Sequence, residues 1–246
     1  MLKRADLLVF EKELLKSRTF AATLITEKRV SANGKLLEKP SQLIADDSII
    51  KIVRDEVEFV SRGGKKLAEA LNKFKIDVNG LTALDIGAST GGFTDCLLKN
   101  GAKKVYAVDV GINQLDLSLK NDKRVENREK INARMLKSTD FSEKIDIIVT
   151  DVSFISQTLL YPAIAAILSE NGMFVSLVKP QFELSKNRLG KNGIVKDKDG
   201  KLFEQIKNKI KKKTAENNLK IMAVIPSPIT GGDGNKEYLA MFVKHI

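Results

Sequence analysis

Thr82-Ala83-Leu84-Asp85-Ile86-Gly87-Ala88-Ser89-Thr90-Gly91-Gly92-Phe93 is the stretch on which the reading of this chain turns. Five residues suited to a buried strand run into a glycine-rich turn, and helical spacing follows over residues 92–99. Such a turn lets backbone approach a ligand closely at the strand's carboxyl end. Set against G-x-G-x-x-G, Gly87 and Gly92 fit, but the middle position is Ser89. The missing glycine normally makes room for a dinucleotide pyrophosphate, so NAD is disfavoured and a cofactor without phosphates fits better. The chain has no Walker pattern, which speaks against ATP hydrolysis.

The alternation continues outward. Strands are expected at 105–108, 145–149, 173–178, 219–225 and 238–243, and helices at 114–120, 156–168 and 200–215. This pattern of six strands predicts an α/β fold with a Rossmann-like sheet, mostly parallel with right-handed crossovers, its closing pair adding one antiparallel strand. Parallel strands bring their carboxyl ends to one edge, so Asp85, Asp109, Asp151 and Lys179 should gather there. Asp109 could accept both ribose hydroxyls of a nucleoside. An adenosine-containing cofactor without phosphates points to S-adenosylmethionine. Cys96, on the following helix, reads as a small core residue.

Composition narrows the chemistry. The 246 residues include 42 Lys and Arg against 31 Asp and Glu, a formal charge of +11, with 43% hydrophobic residues. One cysteine excludes a disulfide framework or a multi-thiolate metal site, and the one histidine, His245, excludes a histidine-rich zinc site; no metal is expected. No apolar run approaches the roughly 20 residues that span a bilayer. Charges appear too early after Met1 for a signal peptide, so a cytoplasmic protein is expected. The basic excess is concentrated in residues 1–54 (+4) and 186–220 (+8), flanking an almost neutral middle. That distribution suits a polyanion gripped beside a site of chemistry. Lysines at 207, 209 and 211–213 surround an apolar stripe of Leu202, Phe203, Ile206 and Ile210 and read as a solvated helix face. Lys186, Arg188, Lys191 and Lys196 lack such a stripe and favour function.

Residues 1–58 read as a separate small α+β domain, with 59–246 as the catalytic domain and 59–65 as its short linker. Leu7, Leu8, Leu14 and Leu15 start its apolar pattern, and Ser17 is a good cap for a helix over 18–26. Asn33-Gly34 signals a tight turn between two short strands, and residues 49–53 should close the little sheet. An acidic patch (Asp55, Glu56, Glu58) precedes the junction Ser61-Arg62-Gly63-Gly64.

Lysines and carboxylates without histidine or a well-placed cysteine suit deprotonation of a hydroxyl. No Pro-Pro-aromatic follows Asp151, against base-amino methylation, and Cys96 is badly placed for attack on a pyrimidine ring carbon. Lys66 and Glu237 are candidates for a second cation and a balancing carboxylate.

These residues resemble the TlyA family, ribosomal RNA 2′-O-methyltransferases of the FtsJ-like superfamily with an N-terminal RNA-binding module. The resemblance covers nearly the whole chain and implies a Rossmann-like, seven-stranded methyltransferase sheet, mostly parallel with one antiparallel strand. It runs through Arg4-Ala5-Asp6, Ser17-Arg18, Asn33-Gly34, Lys39-Pro40-Ser41, residues 61–67 and 85–93. It continues through Asp151-Val152-Ser153-Phe154-Ile155-Ser156, Lys179-Pro180-Gln181-Phe182-Glu183, Gly193-Ile194-Val195 and Gly234-Asn235-Lys236-Glu237. The resemblance implies a catalytic tetrad of Lys66, Asp151, Lys179 and Glu237, with Lys66 chosen over Lys65 by its spacing from Ser61. It implies a cofactor site of Asp85, Gly87, Ala88, Ser89, Gly91, Gly92, Phe93, Asp109, Asn132 and Asp151. The first 58 residues resemble the RNA-binding domain named after ribosomal protein S-four. Arg4, Arg18, Lys35, Arg62, Lys186 and Arg188 are the candidate RNA contacts. The expected substrate is a cytidine in large-subunit ribosomal RNA, with small-subunit RNA a second candidate and DNA and membrane excluded. The rivals are a membrane-active haemolysin, a label some family members carry, and a non-catalytic ribosome-assembly factor.

Overall fold

The computed structural model describes residues 1–15, 17–53, 58–190, 193–195, 197, 200–231 and 234–244. Asp55, Glu56, Lys191, Lys196, His245 and the side chain of Lys186 lie outside the described residues. The chain divides into two compact units, Met1–Glu58 and Phe59–Ile246.

The first unit contains β1 (Leu2–Arg4), α1 (Ala5–Lys12), α2 (Arg18–Thr26), β2 (Val30–Ala32), β3 (Lys35–Leu36), β4 (Leu43–Ala45) and β5 (Ile50–Ile52). Ser17 Oγ accepts the Phe20 N–H at 3.1 Å and so starts α2. Asn33 and Gly34 both adopt positive φ, 49° and 80°, turning β2 back onto β3. β5 pairs with the other side of β2, while β1 and β4 form a separate two-stranded ladder that the sequence reading lacks. Ala5, Val9, Ala21, Leu24, Ile25, Val30 and Leu37 fill the core. Leu14 does not join them. It follows the end of α1 with φ of 47°, and its side chain is 90% exposed.

The second unit begins with α3 (Gly63–Phe74), so the segment read as a linker over 59–65 already contains the first turn of a helix. The sheet is built from β6 (Thr82–Ile86), β7 (Lys104–Val108), β8 (Val125–Arg128), β9 (Ile145–Thr150), β10 (Leu168–Val178), β11 (Leu219–Pro226) and β12 (Tyr238–Lys244). Its order is β11-β12-β10-β9-β6-β7-β8, and β12 runs antiparallel to both neighbours while the remaining pairs are parallel. This is the seven-stranded Rossmann-like sheet expected. The helices are α4 (Gly92–Lys99), α5 (Leu117–Lys120), α6 (Tyr161–Ile167), α7 (Pro180–Glu183) and α8 (Lys201–Ala215).

Successive strand side chains point to opposite faces, and each face has its own core. Ala83, Ala107, Ile147 and Val175 pack with Leu67 and Leu71 of α3 and Phe93 and Leu97 of α4. Leu84, Tyr106, Ile148 and Phe174 pack with Ile164 of α6 and Ile206 and Ile210 of α8. Several elements differ from expectation, and β10 begins at Leu168 where the strand is expected from Met173. β8 was unread because Val-Glu-Asn-Arg is a polar edge strand. The helix expected over 114–120 shortens to α5, capped by Asp116. The helix expected over 156–168 becomes a 3-10 turn at Gln157–Leu159 followed by α6, which starts at Tyr161-Pro162.

Candidate active site

The turn from β6 to α4 requires its glycines. Gly87 has φ of 82°, and a Cβ there would come within 3.0 Å of the Asp151 carbonyl oxygen. Gly91 has φ of 96°, and a Cβ at Gly92 would stand 2.3 Å from Ser61 Oγ and 2.9 Å from the Gly64 nitrogen. The starts of α3 and α4 therefore meet backbone to backbone. Ser89, in the position where a glycine would admit a pyrophosphate, also has positive φ, 49°. Its N–H donates to Asp109 Oδ2 at 2.8 Å, and the Gly111 N–H donates to Asp109 Oδ1 at 2.7 Å. Asp109 thus ties the glycine loop to the end of β7. Asp85 is fully buried beneath this loop. Thr94 Oγ1 donates to its Oδ2 at 2.7 Å, while Oδ1 has no hydrogen-bond partner among the described residues. Burial pushes its carboxyl up to about 7 against the Thr94 bond, and the charges of Asp151 and Asp109 add to the rise.

A cleft of about 310 Å³ opens over the loop, lined also by Ser61, Arg62, Lys66, Asp151, Ser153 and Lys179. Two ammonium–carboxylate pairs stand at it. The parallel register of Thr150 with Ser176 leaves Asp151 and Lys179 just beyond the ends of neighbouring strands. Lys179 Nζ lies 2.6 Å from Asp151 Oδ1 and donates to Ser153 Oγ at 2.8 Å. Lys66, buried on α3, donates to Glu237 Oε2 at 2.5 Å. Lys65 is not among the lining residues. Glu237 is buried behind Lys66, and a Cβ on Gly231 would come within 2.5 Å of its Oε1. Buried Asn235 shapes the approach to Glu237: its Oδ1 accepts the Val195 N–H at 2.9 Å, and its Nδ2 donates to the Gly193 carbonyl at 3.3 Å. Nothing in the sequence marks Gly231 for a role at the site, and for Asn235 the signal is its place in Gly234-Asn235-Lys236-Glu237.

Residues 59–244 match the FtsJ-like methyltransferase family. Hemolysin A of Brachyspira hyodysenteriae is 43% identical over 98% of this chain and 99% of its own length. The 16S/23S rRNA (cytidine-2′-O)-methyltransferase TlyA of Mycobacterium tuberculosis is 40% identical over 96% of this chain and 87% of its own. The chain belongs to the TlyA family of FtsJ-like methyltransferases. A solved Streptococcus thermophilus structure with a provisional hemolysin label superposes with a TM-score of 0.78 at 40% identity, covering 99% of this chain and 89% of that one.

As an FtsJ-like methyltransferase, the chain uses S-adenosylmethionine. The glycine loop fits that molecule, because the backbone of Gly87 and Gly92 lines the cleft without Cβ atoms and the Asp151 carboxylate at its wall suits a cationic sulfonium. Ala88, Ser89 and Gly92 line the cleft; Phe93 does too, but its side chain is almost wholly buried in the core. Asp109 and Asn132 are not among the lining residues. The Ile131 N–H donates to the Asp109 carbonyl at 3.0 Å, which brings Asn132 to the same sheet edge. There Asn132 Oδ1 accepts the Arg134 N–H at 3.2 Å and caps the 3-10 turn Ala133–Met135. Burial pushes the Cys96 thiol up to about 12, as suits a core residue.

Of the candidate RNA contacts in this TlyA-family chain, Arg62 is exposed at the cleft and Arg188 is exposed in the 3-10 turn at Lys186–Arg188. Lys35 is exposed on β3. Arg4 and Arg18 converge on one carboxylate: each places Nη2 3.0 Å from Oδ2 of buried Asp6, and both guanidinium groups remain about half exposed. One aromatic residue had no role assigned from sequence. Phe154, three positions after Asp151, is 88% exposed with φ of 66°, its ring 5.3 Å from that of Phe182.

Proposed function

We propose that the chain methylates the ribose 2′-hydroxyl of a cytidine in ribosomal RNA. The observation that carries this reading is the pair of ammonium–carboxylate contacts, Lys66–Glu237 and Lys179–Asp151, associated with a cleft floored by the glycine loop. The name of the Mycobacterium tuberculosis relative supplies the nucleoside and the RNA. S-adenosylmethionine, when bound, supplies a methyl group already activated on sulfur. Gly87, Ala88, Ser89, Gly91 and Gly92 would hold it, with Asp109 and Asn132 toward its nucleoside.

Lys179, as the neutral amine in the reacting state, takes the 2′-hydroxyl proton at Nζ, while Asp151 and Ser153 hold that nitrogen in place. Lys66, backed by Glu237, positions the hydroxyl. Alignment supplies much of the acceleration, since two reactants are fixed in one orientation. Only RNA carries the 2′-hydroxyl, so DNA is not a substrate. Arg4, Arg18, Lys35, Arg62 and Arg188 contact phosphates, and the exposed Phe154 ring offers a stacking face to a base. The site of action is the cytoplasm, on ribosomal RNA or an assembling subunit.

Mapping 2′-O-methyl groups in ribosomal RNA from cells with and without this protein tests the reading. One or more cytidines should lose the mark with the protein and not regain it with Lys179→Ala, which should still bind the cofactor. An unchanged methylation map refutes the reading. The hemolysin name of some relatives gives the alternative; no helix among the described residues is long and apolar enough to cross a membrane. Liposome leakage by Lys66→Ala protein would favour it.

A further inference from the structure

We propose that Glu183 and Lys209 are positioning residues for methyl transfer, clamping together the two chain segments that carry Asp151 and Lys179. The inference rests on the 2′-O-methylation reading and names what keeps its reacting pair in register. Each of the two residues begins a segment leaving the sheet, and each segment ends at the same carboxylate. Glu183 lies four positions after Lys179, at the end of α7, and its side chain is only 2% exposed. Ser156, five positions after Asp151, donates from Oγ to Glu183 Oε2 at 2.6 Å, and the Gln157 N–H donates to Oε1 at 2.8 Å.

Lys209 closes the clamp from α8. Its Nζ donates to Glu183 Oε2 at 2.8 Å, to the Glu183 carbonyl at 2.9 Å and to Ser156 Oγ at 3.1 Å. Beneath, Thr150 Oγ1 donates to Ser176 Oγ at 2.9 Å, and Ser176 Oγ donates to Gln157 Oε1 at 2.5 Å. Thr150 directly precedes Asp151, so the chain of bonds runs from the last residue of β9 to α8. On the solvent side the Phe154 and Phe182 rings join the same two segments.

Stability alone does not explain this choice of residues. A buried ion pair is often no more stabilising than apolar residues of similar volume, whereas a satisfied polar network fixes one geometry. Methyl transfer depends on that geometry, because a displacement of about 1 Å can cost about a hundredfold in rate. Lys209 is 38% exposed, so its ammonium can be removed without opening the core.

The test uses Lys209→Met, which keeps the stem and removes the three donors. With ribosomal subunits as substrate, kcat should fall about 10- to 100-fold. The KM for subunits and the calorimetric Kd for S-adenosylmethionine should stay within about twofold, and Lys209→Arg should recover part of the loss. Acetylation of Lys179 Nζ by acetic anhydride, read by mass spectrometry, should accelerate in the methionine variant as Asp151 and Ser153 release it. Unchanged kcat or unchanged Lys179 labelling overturns the proposal. So does a fall in kcat matched by equal losses in cofactor affinity and melting temperature that arginine does not relieve, the mark of a structural role alone. Wild-type protein without turnover would refute the methylation reading, while the labelling of Lys179 still decides the clamp.

Discussion

Lys66 and Glu237 lie 171 positions apart in the chain and meet at 2.5 Å in a buried contact between α3 and the residue before β12. Removing one partner of such a pair strands the other's charge, at a cost of about 3–5 kcal/mol. Lys66→Ala should therefore lower both turnover and stability, which confounds a simple reading of the loss. The double variant Lys66→Met with Glu237→Gln separates them. Urea unfolding should show most of the stability restored, while methylation remains absent. Turnover that returns with stability would make the pair a structural element only.

Asp85 ties stability to pH. Its carboxyl is pushed up to about 7 in the fold from the ordinary 3.8. Between those values the unfolded chain gives up the proton while the folded chain keeps it, so this residue makes stability fall as pH rises from about 4 to about 7 and then level off. Asp85→Asn removes the dependence. Denaturation of both proteins across pH 4–9 should show the variant's advantage growing through that window, up to about 4 kcal/mol, and constant above it. A difference that does not vary with pH would mean the buried carboxyl is not the titrating group.

Gly87→Ala tests the floor of the cleft. The new Cβ must occupy left-handed backbone, at about 1–2 kcal/mol, and would sit 3.0 Å from the Asp151 carbonyl oxygen. The melting temperature should fall by several degrees. Affinity for S-adenosylmethionine should fall further than that loss accounts for, because the loop and Asp151 shift together. A variant that binds the cofactor normally would show that the close approach of the two backbones is not needed.

The sheet was legible because fully buried parallel strands read as continuous apolar runs. Thr82–Ile86 and Ile147–Thr150 are buried at every residue, and their ends deliver Asp85 and Asp151 to one edge by topology alone. Val125–Arg128 was not legible, since an edge strand facing water carries charges instead. The contact of Lys66 with Glu237 cannot be read from spacing; that grouping came through resemblance. Asn235 and the Glu183–Lys209 contact were unread for the same physical reason. Their partners come from distant segments, and nothing in the local pattern of an asparagine or of a lysine on a basic helix reveals what lies across from it.

Asp6 offers a test in which two physical effects oppose each other. Its buried carboxylate holds Arg4 and Arg18 side by side, and their guanidinium groups, chiefly that of Arg4, keep it below the usual carboxylate range. Asp6→Asn adds one positive charge to the protein's balance. If electrostatic attraction alone governed RNA binding, affinity would rise and its salt dependence steepen. If the carboxylate serves to align two arginines for a phosphate, affinity should fall about tenfold, roughly 1.4 kcal/mol, because the fork is no longer fixed before binding. Filter binding to ribosomal RNA fragments from 50 to 200 mM salt distinguishes them, with kcat at saturating subunit expected to remain unchanged. Tighter binding at every salt concentration would leave Arg4 and Arg18 as general surface charge and remove the alignment argument.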